Sequence, residues 1–333
     1  LQKAVAAHGL MYPPDPASLE MCSIGGNVAE NAGGPRAVKY GTTKDYILGL
    51  EFVLPDGTIM RSGGKMVKNA SGYNMVGLLT GSEGTLAVIT KIYLRLIPAP
   101  PVTRDLLMPF ESMEQAIAAV CAILAGRSMP AALEFMEENA LRFVARHLGS
   151  TLHFPEARAH LLVLLDGTSE DTVVQDMQAI CKTIGLDPDR MLIAVTPAQR
   201  ERLWHARRSI REALKAASPV FLAEDCVVPR SEIPGFLKAV KQRAAAFGVD
   251  PIMFGHAGDG NVHIDILKGD MPTERWRSLL PDIRRAIYHE ALQRGGTITG
   301  EHGIGLIRRD YLQMAVDLPQ IELMRRIKQA FDP

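Results

Sequence analysis

Apolar and polar positions follow two different patterns along this chain, and the change falls near residue 100. Before it, short apolar runs are interrupted by glycine and proline. Residues 1–8 read as a helix. Residues 9–16 must be extended, because each of Pro13, Pro14 and Pro16 pushes its predecessor out of the helical region. Residues 46–54 and 58–62 flank Pro55-Asp56-Gly57 as the two arms of a β-hairpin. Residues 86–97 form a long run rich in β-branched and apolar side chains, hence a strand. Pro98-Ala99-Pro100-Pro101 is the one evident linker, which predicts domains at 1–100 and 101–333.

Beyond the linker, strand-like and helix-like stretches alternate. Strands are predicted at 102–110, 131–136, 160–166, 191–195 and 220–228, and helices at 112–124, 138–148, 170–184, 197–217 and 230–247. Antiparallel strands with helices packed on one side, an α+β arrangement, fit this order.

The richest chemistry lies in Phe254-Gly255-His256-Ala257-Gly258-Asp259-Gly260-Asn261-Val262-His263-Ile264-Asp265. Asp-Gly favours a two-residue hairpin turn, since both central positions need positive φ. That turn sets His256 opposite His263, where facing Cβ atoms lie about 4.5–5.5 Å apart. Two imidazoles at such a separation can share a metal ion, and Asp265 lies further along the same face. The alternative is two histidines beside a polar turn with no ligand. A second cluster, Gly300-Glu301-His302-Gly303-Ile304-Gly305, favours the site. Glu301 supplies a third ligand of a type common beside two imidazoles, and His302 remains to move protons near neutral pH. Read alone, this second motif is also compatible with a loop capping a helix at 304–311.

Cys22-Ser23-Ile24-Gly25-Gly26-Asn27-Val28-Ala29-Glu30-Asn31-Ala32-Gly33-Gly34-Pro35 carries two Gly-Gly pairs around a short helical turn. Such backbone either cradles a ligand through its N–H groups or makes two tight turns. The dinucleotide fingerprint GxGxxG is absent.

Composition narrows the field. The 333 residues can form two domains with real cores. Hydrophobic content of 47% and charged content of 22% suit a folded soluble protein. Lys+Arg and Asp+Glu are both 37, which gives no electrostatic case for nucleic acid. No apolar run approaches the roughly 20 residues that span a bilayer. Cys22, Cys121, Cys181 and Cys226 are widely spaced without CxxC, and read as reduced thiols of a cytoplasmic protein. The chain opens on Leu1 and stops at Phe331-Asp332-Pro333, as a fragment of a longer polypeptide would.

Several motifs together resemble one family. They are Tyr12-Pro13-Pro14-Asp15-Pro16, Ser23-Ile24-Gly25-Gly26-Asn27, Asn31-Ala32-Gly33-Gly34-Pro35, Lys39-Tyr40-Gly41, Leu54-Pro55-Asp56-Gly57 and Gly81-Ser82-Glu83-Gly84-Thr85. They are similar to the second half of the flavin-binding domain of the vanillyl-alcohol-oxidase/PCMH flavoproteins. The surroundings of His256, His263 and Glu301-His302, with the closing Phe331-Asp332-Pro333, resemble the branch of the glycolate oxidase flavin subunit and the quinone- or cytochrome-linked D-lactate dehydrogenases. The family's earlier subdomain, with its own pyrophosphate loop, and its usual tail have no counterpart here. The resemblance implies a partial PCMH-type FAD-binding domain, a ferredoxin-like α+β cap and a C-terminal helical segment.

It further implies FAD held non-covalently by Pro14, Asp15, Ser23, Gly25, Gly26, Asn27, Gly33, Gly34, Tyr40, Gly41, Gly84 and Ile89. Arg207, three residues after Trp204, maps to the family's substrate-carboxylate arginine; the alternative is a solvated charge on a helix that buries Trp204. Glu224-Asp225-Cys226-Val227-Val228-Pro229-Arg230 also resembles the family, with a role in positioning its strand. In hydroxyglutarate-oxidising relatives a threonine follows the arginine by four, where this chain has Arg211, so a short monocarboxylate is favoured over a dicarboxylate.

The expected reaction is FAD-dependent oxidation of a small 2-hydroxy acid such as D-lactate or glycolate. His256, His263 and Glu301 would hold Zn, Fe or Mn and His302 would take the hydroxyl proton. Electrons would pass to a separate acceptor: an iron–sulfur subunit, a cytochrome, a quinone or an electron-transfer flavoprotein. Any membrane attachment would come through that partner. Rival readings are a non-catalytic flavin-binding or docking subunit, an ether-lipid synthase-like transferase, and a flavin-free metallohydrolase. Glu301 argues against the transferase, whose relatives carry a run of histidines there. The metallohydrolase leaves the first hundred residues unexplained.

Overall fold

The computed structural model describes residues 1–19 and 21–333. The chain divides into two compact units, Leu1–Ala99 with Glu301–Pro333, and Pro100–Gly300.

In the first unit, β1 (Leu10–Met11) pairs with β5 (Ile97–Pro98), and β2 (Ile47–Val53) is flanked by β3 (Ile59–Gly63) and β4 (Val88–Leu94) in an antiparallel sheet. The Pro55-Asp56-Gly57 hairpin forms as its turn residues predict, with Gly57 at φ +83°. Leu50 and Phe52 of β2 meet Val28, Leu79 and Leu86 in one core. Burying such side chains stabilises by roughly 1.5–3 kcal/mol each. Ile327 and Phe331, from the Leu318–Phe331 helix, pack against this core. The chain therefore leaves this unit near residue 100 and re-enters it after Gly300. The first Gly-Gly pair lies inside the Ile24–Glu30 helix, whose Ser23 side chain accepts the Gly26 N–H.

The second unit is built on seven strands: β6 (Val102–Phe110), β7 (Ala132–Glu137), β8 (Ala159–Gly167), β9 (Leu192–Ala194), β10 (Phe221–Val227), β11 (Pro251–His256) and β12 (Asn261–Leu267). Their order across the sheet is β10-β12-β11-β7-β8-β6-β9, antiparallel throughout. Strands β6 to β9 with the helices after β6 and β8 form the ferredoxin-like βαββαβ motif, and β10 to β12 extend its sheet.

The expectation of helices on one side is corrected here, because helices cover both faces. One face carries Met113–Ala125, Glu170–Ile184, Ile233–Ala246 and Thr273–Gln293, packed on one another in sequence-remote pairs. The other carries Glu138–Leu148, Pro197–Arg208 and Ile210–Ala217, whose Leu141, Leu203 and Leu214 join Leu107, Met136, Leu162 and Phe254 in a core. Strands apolar on both faces require this arrangement: β7 and β8 are buried almost along their whole length. The predicted helix at 197–217 is two helices, divided at Ser209. Among the described residues no helix is long and apolar enough to cross a membrane.

Candidate functional site

The register of β10, β12, β11 and β7 builds a polar row on the face covered by Pro197–Arg208 and Ile210–Ala217. Asp225 stands opposite His263, which stands opposite Phe254; in the next row Asn261 stands opposite His256, which stands opposite Glu134. The hairpin expectation is corrected in its register: His256 pairs with Asn261 and Phe254 with His263, around a four-residue turn at 257–260. The pairing differs from the expected one by two positions, an even number. Strand side chains alternate with a period of two, so both imidazoles stay on one face. They are diagonal neighbours, with ring centroids 5.2 Å apart and planes at 84°.

Behind His256 lies a carboxylate that the motif reading missed. Glu134 is fully buried; its Oε1 lies 2.6 Å from His256 Nδ1 and its Oε2 lies 2.7 Å from Arg207 Nη2. Burial pushes the Glu134 carboxyl up, but His256 and Arg207 outweigh it and hold the carboxyl below its ordinary value. An ionised Glu134 fixes the proton of His256 on Nδ1, so Nε2 carries the ligand lone pair. Burial holds His263 well below its ordinary pKa, and Arg211 and His256 add to this against the pull of Asp225. His263 is thus a neutral imidazole, the form that binds metal. A carboxylate behind a ligating histidine is the usual outer partner of a metal site, so this donor set fits a divalent cation.

Asp225 fastens the far end of the row. Asn261 Nδ2 donates to Asp225 Oδ1 at 2.5 Å, while Thr299 Oγ1 and the Gly300 N–H donate to Oδ2 at 3.0 and 2.9 Å. Position 300 must be glycine, because a Cβ there would lie 2.5 Å from Val227 Cγ2 and 2.6 Å from Asn261 Nδ2. Arg207 is not the solvated charge of the alternative reading: it is buried, pairs with Glu134 and lies 5.0 Å over the Phe254 ring. Trp204 donates its indole N–H to Asp105 at 3.0 Å. Arg211 stands at the edge of the row, its Nη2 3.5 Å from His263 Nδ1 and its Nε 3.5 Å from Asp265 Oδ2.

In the first unit, Glu301 and His302 are half-buried and open the returning segment. No helix forms at 304–311 for them to cap; turns lead to a short 3-10 stretch at Arg309–Tyr311. Glu83 holds this segment, accepting the N–H groups of Ile304 and Gly305 at 2.7 Å each. Gly33 leaves room for Glu301, whose Oε2 would lie 3.3 Å from an added Cβ.

The residues expected to hold FAD all fall in the first unit. Asp15 pairs with Arg36 at 3.2 Å and abuts Gly34, where an added Cβ would lie 2.6 Å from the Asp15 carbonyl oxygen. Ser23, Gly25, Gly26 and Asn27 cap and begin one helix; Tyr40 ends another, followed by Gly41 at φ +81°. Ile89 lies on β4 opposite Phe52. At Gly25 and Gly84 an added Cβ would meet nothing within 4 Å. Bare backbone with open space in front of it suits close approach by a cofactor.

Comparison with known proteins decides the family. The model of the FAD linked oxidases C-terminal domain matches residues 99–333, and that of an FAD binding domain matches residues 1–63. This chain belongs to the FAD-linked oxidases. A glycolate oxidase subunit of Bacillus subtilis is 41% identical over 99% of this chain and 70% of its own length. A D-lactate dehydrogenase of Anaerostipes hadrus is 38% identical over 98% of this chain and 70% of its own. The solved structure of p-cresol methylhydroxylase with substrate bound superposes with a TM-score of 0.75 at 16% identity, covering 99% of this chain and 71% of that one. The α+β, PCMH-type fold of this FAD-linked oxidase is thereby established.

Proposed function

We propose that this FAD-linked oxidase converts a small 2-hydroxy acid of the D-lactate or glycolate type to its 2-oxo acid. The observation that carries the reading is the buried His256/His263 pair backed by Glu134. FAD, when bound by the glycine-rich segments of the first unit, supplies the hydride acceptor that protein side chains lack. A divalent cation on His256, His263 and Glu301, the residue that follows the anchored Gly300, supplies the Lewis acidity that lowers the pKa of a substrate hydroxyl.

The chain's own residues do the rest. Glu134 keeps His256 in one tautomer and one orientation. Burial keeps His263 neutral. His302, beside Glu301 in sequence, takes the hydroxyl proton as general base. A guanidinium from the 197–217 segment meets the carboxylate of the acid, a pairing for which arginine is geometrically suited. The electrons go on to a separate acceptor, since the four cysteines lie apart in sequence and make no cluster-binding spacing.

Glu301→Ala and His302→Ala test this reading in the FAD-loaded protein. Each is expected to abolish turnover of 2-hydroxy acids. Wild-type turnover in both would refute the assignment.

A further inference from the structure

The segment that carries Glu301 and His302 has no regular structure of its own: among the described residues no helix or strand covers 301–308. A side chain far away in sequence holds it. We propose that Glu83 is a positioning residue for Glu301 and His302, its carboxylate clamping the backbone just beyond them. This rests on the metal-ligand and general-base roles proposed above.

The clamp has two prongs. Glu83 Oε1 accepts the N–H of Ile304 and Oε2 that of Gly305, each at 2.7 Å. Bonds from two successive amides to the two oxygens of one carboxylate are charge-assisted, and they fix direction as well as distance. Gly303 threads between two acids: a Cβ there would lie 2.7 Å from Glu30 Oε2 and 2.9 Å from Glu83 Oε1, and its φ is +73°. Arg308 adds a further tie, its Nη1 donating to the Gly303 carbonyl oxygen at 3.2 Å. Residues 303–305 are thus fastened immediately after the pair that is given the chemistry.

The backbone of Glu83 points the same way. Its φ is +52°, in the left-handed region that a long side chain rarely adopts. Its neighbours at φ +81° and +68° are Gly81 and Gly84, the residue that such a conformation favours. A glutamate between them keeps a strained backbone in exchange for its carboxylate. Strain of this kind persists where the surrounding structure over-determines it, and it clusters at functional sites. Here the Glu83 N–H donates to the Ala29 carbonyl at 2.8 Å and the Gly81 N–H to that of Val28 at 2.9 Å. These bonds dock the turn on the Ile24–Glu30 helix, in the same compact unit as residues 301–333. Helix, strained turn and Glu301-His302 segment form one connected frame, with Glu83 as its joint.

The test compares Glu83→Gly and Glu83→Gln with the unaltered FAD-loaded protein. Glycine suits the backbone and removes the carboxylate, whereas glutamine keeps one acceptor oxygen. Hydrogen exchange of residues 301–308, manganese affinity, and kcat and KM for D-lactate at saturating manganese are measured, with the urea midpoint as control. Glu83→Gly is expected to speed exchange in 301–308 alone. Manganese affinity should fall by about 10- to 100-fold, as it does when the support of a ligand is lost. The kcat should fall by about 10- to 100-fold, the effect of a misplaced catalytic group, with KM and the urea midpoint close to wild type. Glu83→Gln should lie between the two. An unchanged manganese affinity or an unchanged kcat in Glu83→Gly would overturn the assignment. So would a lowered urea midpoint with faster exchange throughout the chain, which marks a purely structural role. Were the unaltered protein to bind no manganese, or to leave D-lactate and glycolate unoxidised, the reading above would fall instead. Exchange in 301–308 would then still decide whether Glu83 clamps the segment.

Discussion

Replacing Glu134 with glutamine tests the support behind His256 without removing either imidazole. The carboxylate has no exposure, and both oxygens are used, on His256 Nδ1 at 2.6 Å and on Arg207 Nη2 at 2.7 Å. Deleting the group outright, as Glu134→Ala does, strands the Arg207 charge in the interior, a change that costs about 3–5 kcal/mol. Against a total stability of about 5–15 kcal/mol, that variant is close to unfolding. Glu134→Gln keeps shape and one acceptor oxygen, so its cost falls to about 1–3 kcal/mol. Its effect on metal is separable. The amide either keeps its oxygen on His256 and turns its NH2 toward Arg207, or the reverse, and neither restores both contacts. The expected result is a 10- to 100-fold loss of divalent-metal affinity, about the effect of removing an outer partner of a ligating histidine. Urea unfolding with chelator present gives the stability change, and competition with a chromogenic chelator gives the affinity. A folded Glu134→Gln protein that binds metal as tightly as the wild type would refute the reasoning.

Two further variants probe the first unit. Gly33→Ala places a methyl 3.3 Å from Glu301 Oε2, so the glutamate must give way; metal affinity should fall while the urea midpoint stays within error. An unchanged affinity would show that Glu301 does not depend on this space. Glu51 is held down at about 2, first by its hydrogen bond to Lys91 and then by that to Arg61. A depressed carboxyl contributes stability that is present above its unfolded pKa of about 4.5 and lost as pH falls toward 2. Glu51→Gln should therefore lower stability by a constant amount above pH 6 and flatten the acid limb between those values, so that variant and wild type converge as pH falls toward 2.

The strands and helices of the second unit are legible because their apolar runs are long and their boundaries carry capping residues. Ser112, Ser169 and Thr196 each accept an N–H from the third residue of the helix that follows. The helix at Thr273–Gln293 escapes the pattern, since Pro281 and a charged surface break up its apolar stripe of Trp276, Ile283, Ile287 and Ala291. Which faces of the sheet are covered is a tertiary matter, and the continuous burial of β7 and β8 is its only trace in the pattern. Both histidines can be found from the Asp259-Gly260 turn, and an error of two positions in register does not move them off their face. Glu134 was findable as the one charge in Ala131-Ala132-Leu133-Glu134-Phe135-Met136, because a lone carboxylate in a buried strand needs partners. That those partners are His256 and Arg207 depends on β11 pairing with β7, two strands separated by more than a hundred residues. Short motifs do not carry such information.

Anaerobic titration of the oxidised flavin with D-lactate and with glycolate, before and after removal of divalent metal by chelation, bears most directly on the central claim. The account predicts that at least one of these acids bleaches the flavin of the metal-loaded protein. It also predicts that chelation abolishes the bleaching and that restoring the cation recovers it. Bleaching that persists at full rate without metal would contradict the role given to His256, His263 and Glu301, and a flavin that no 2-hydroxy acid reduces would contradict the proposed reaction.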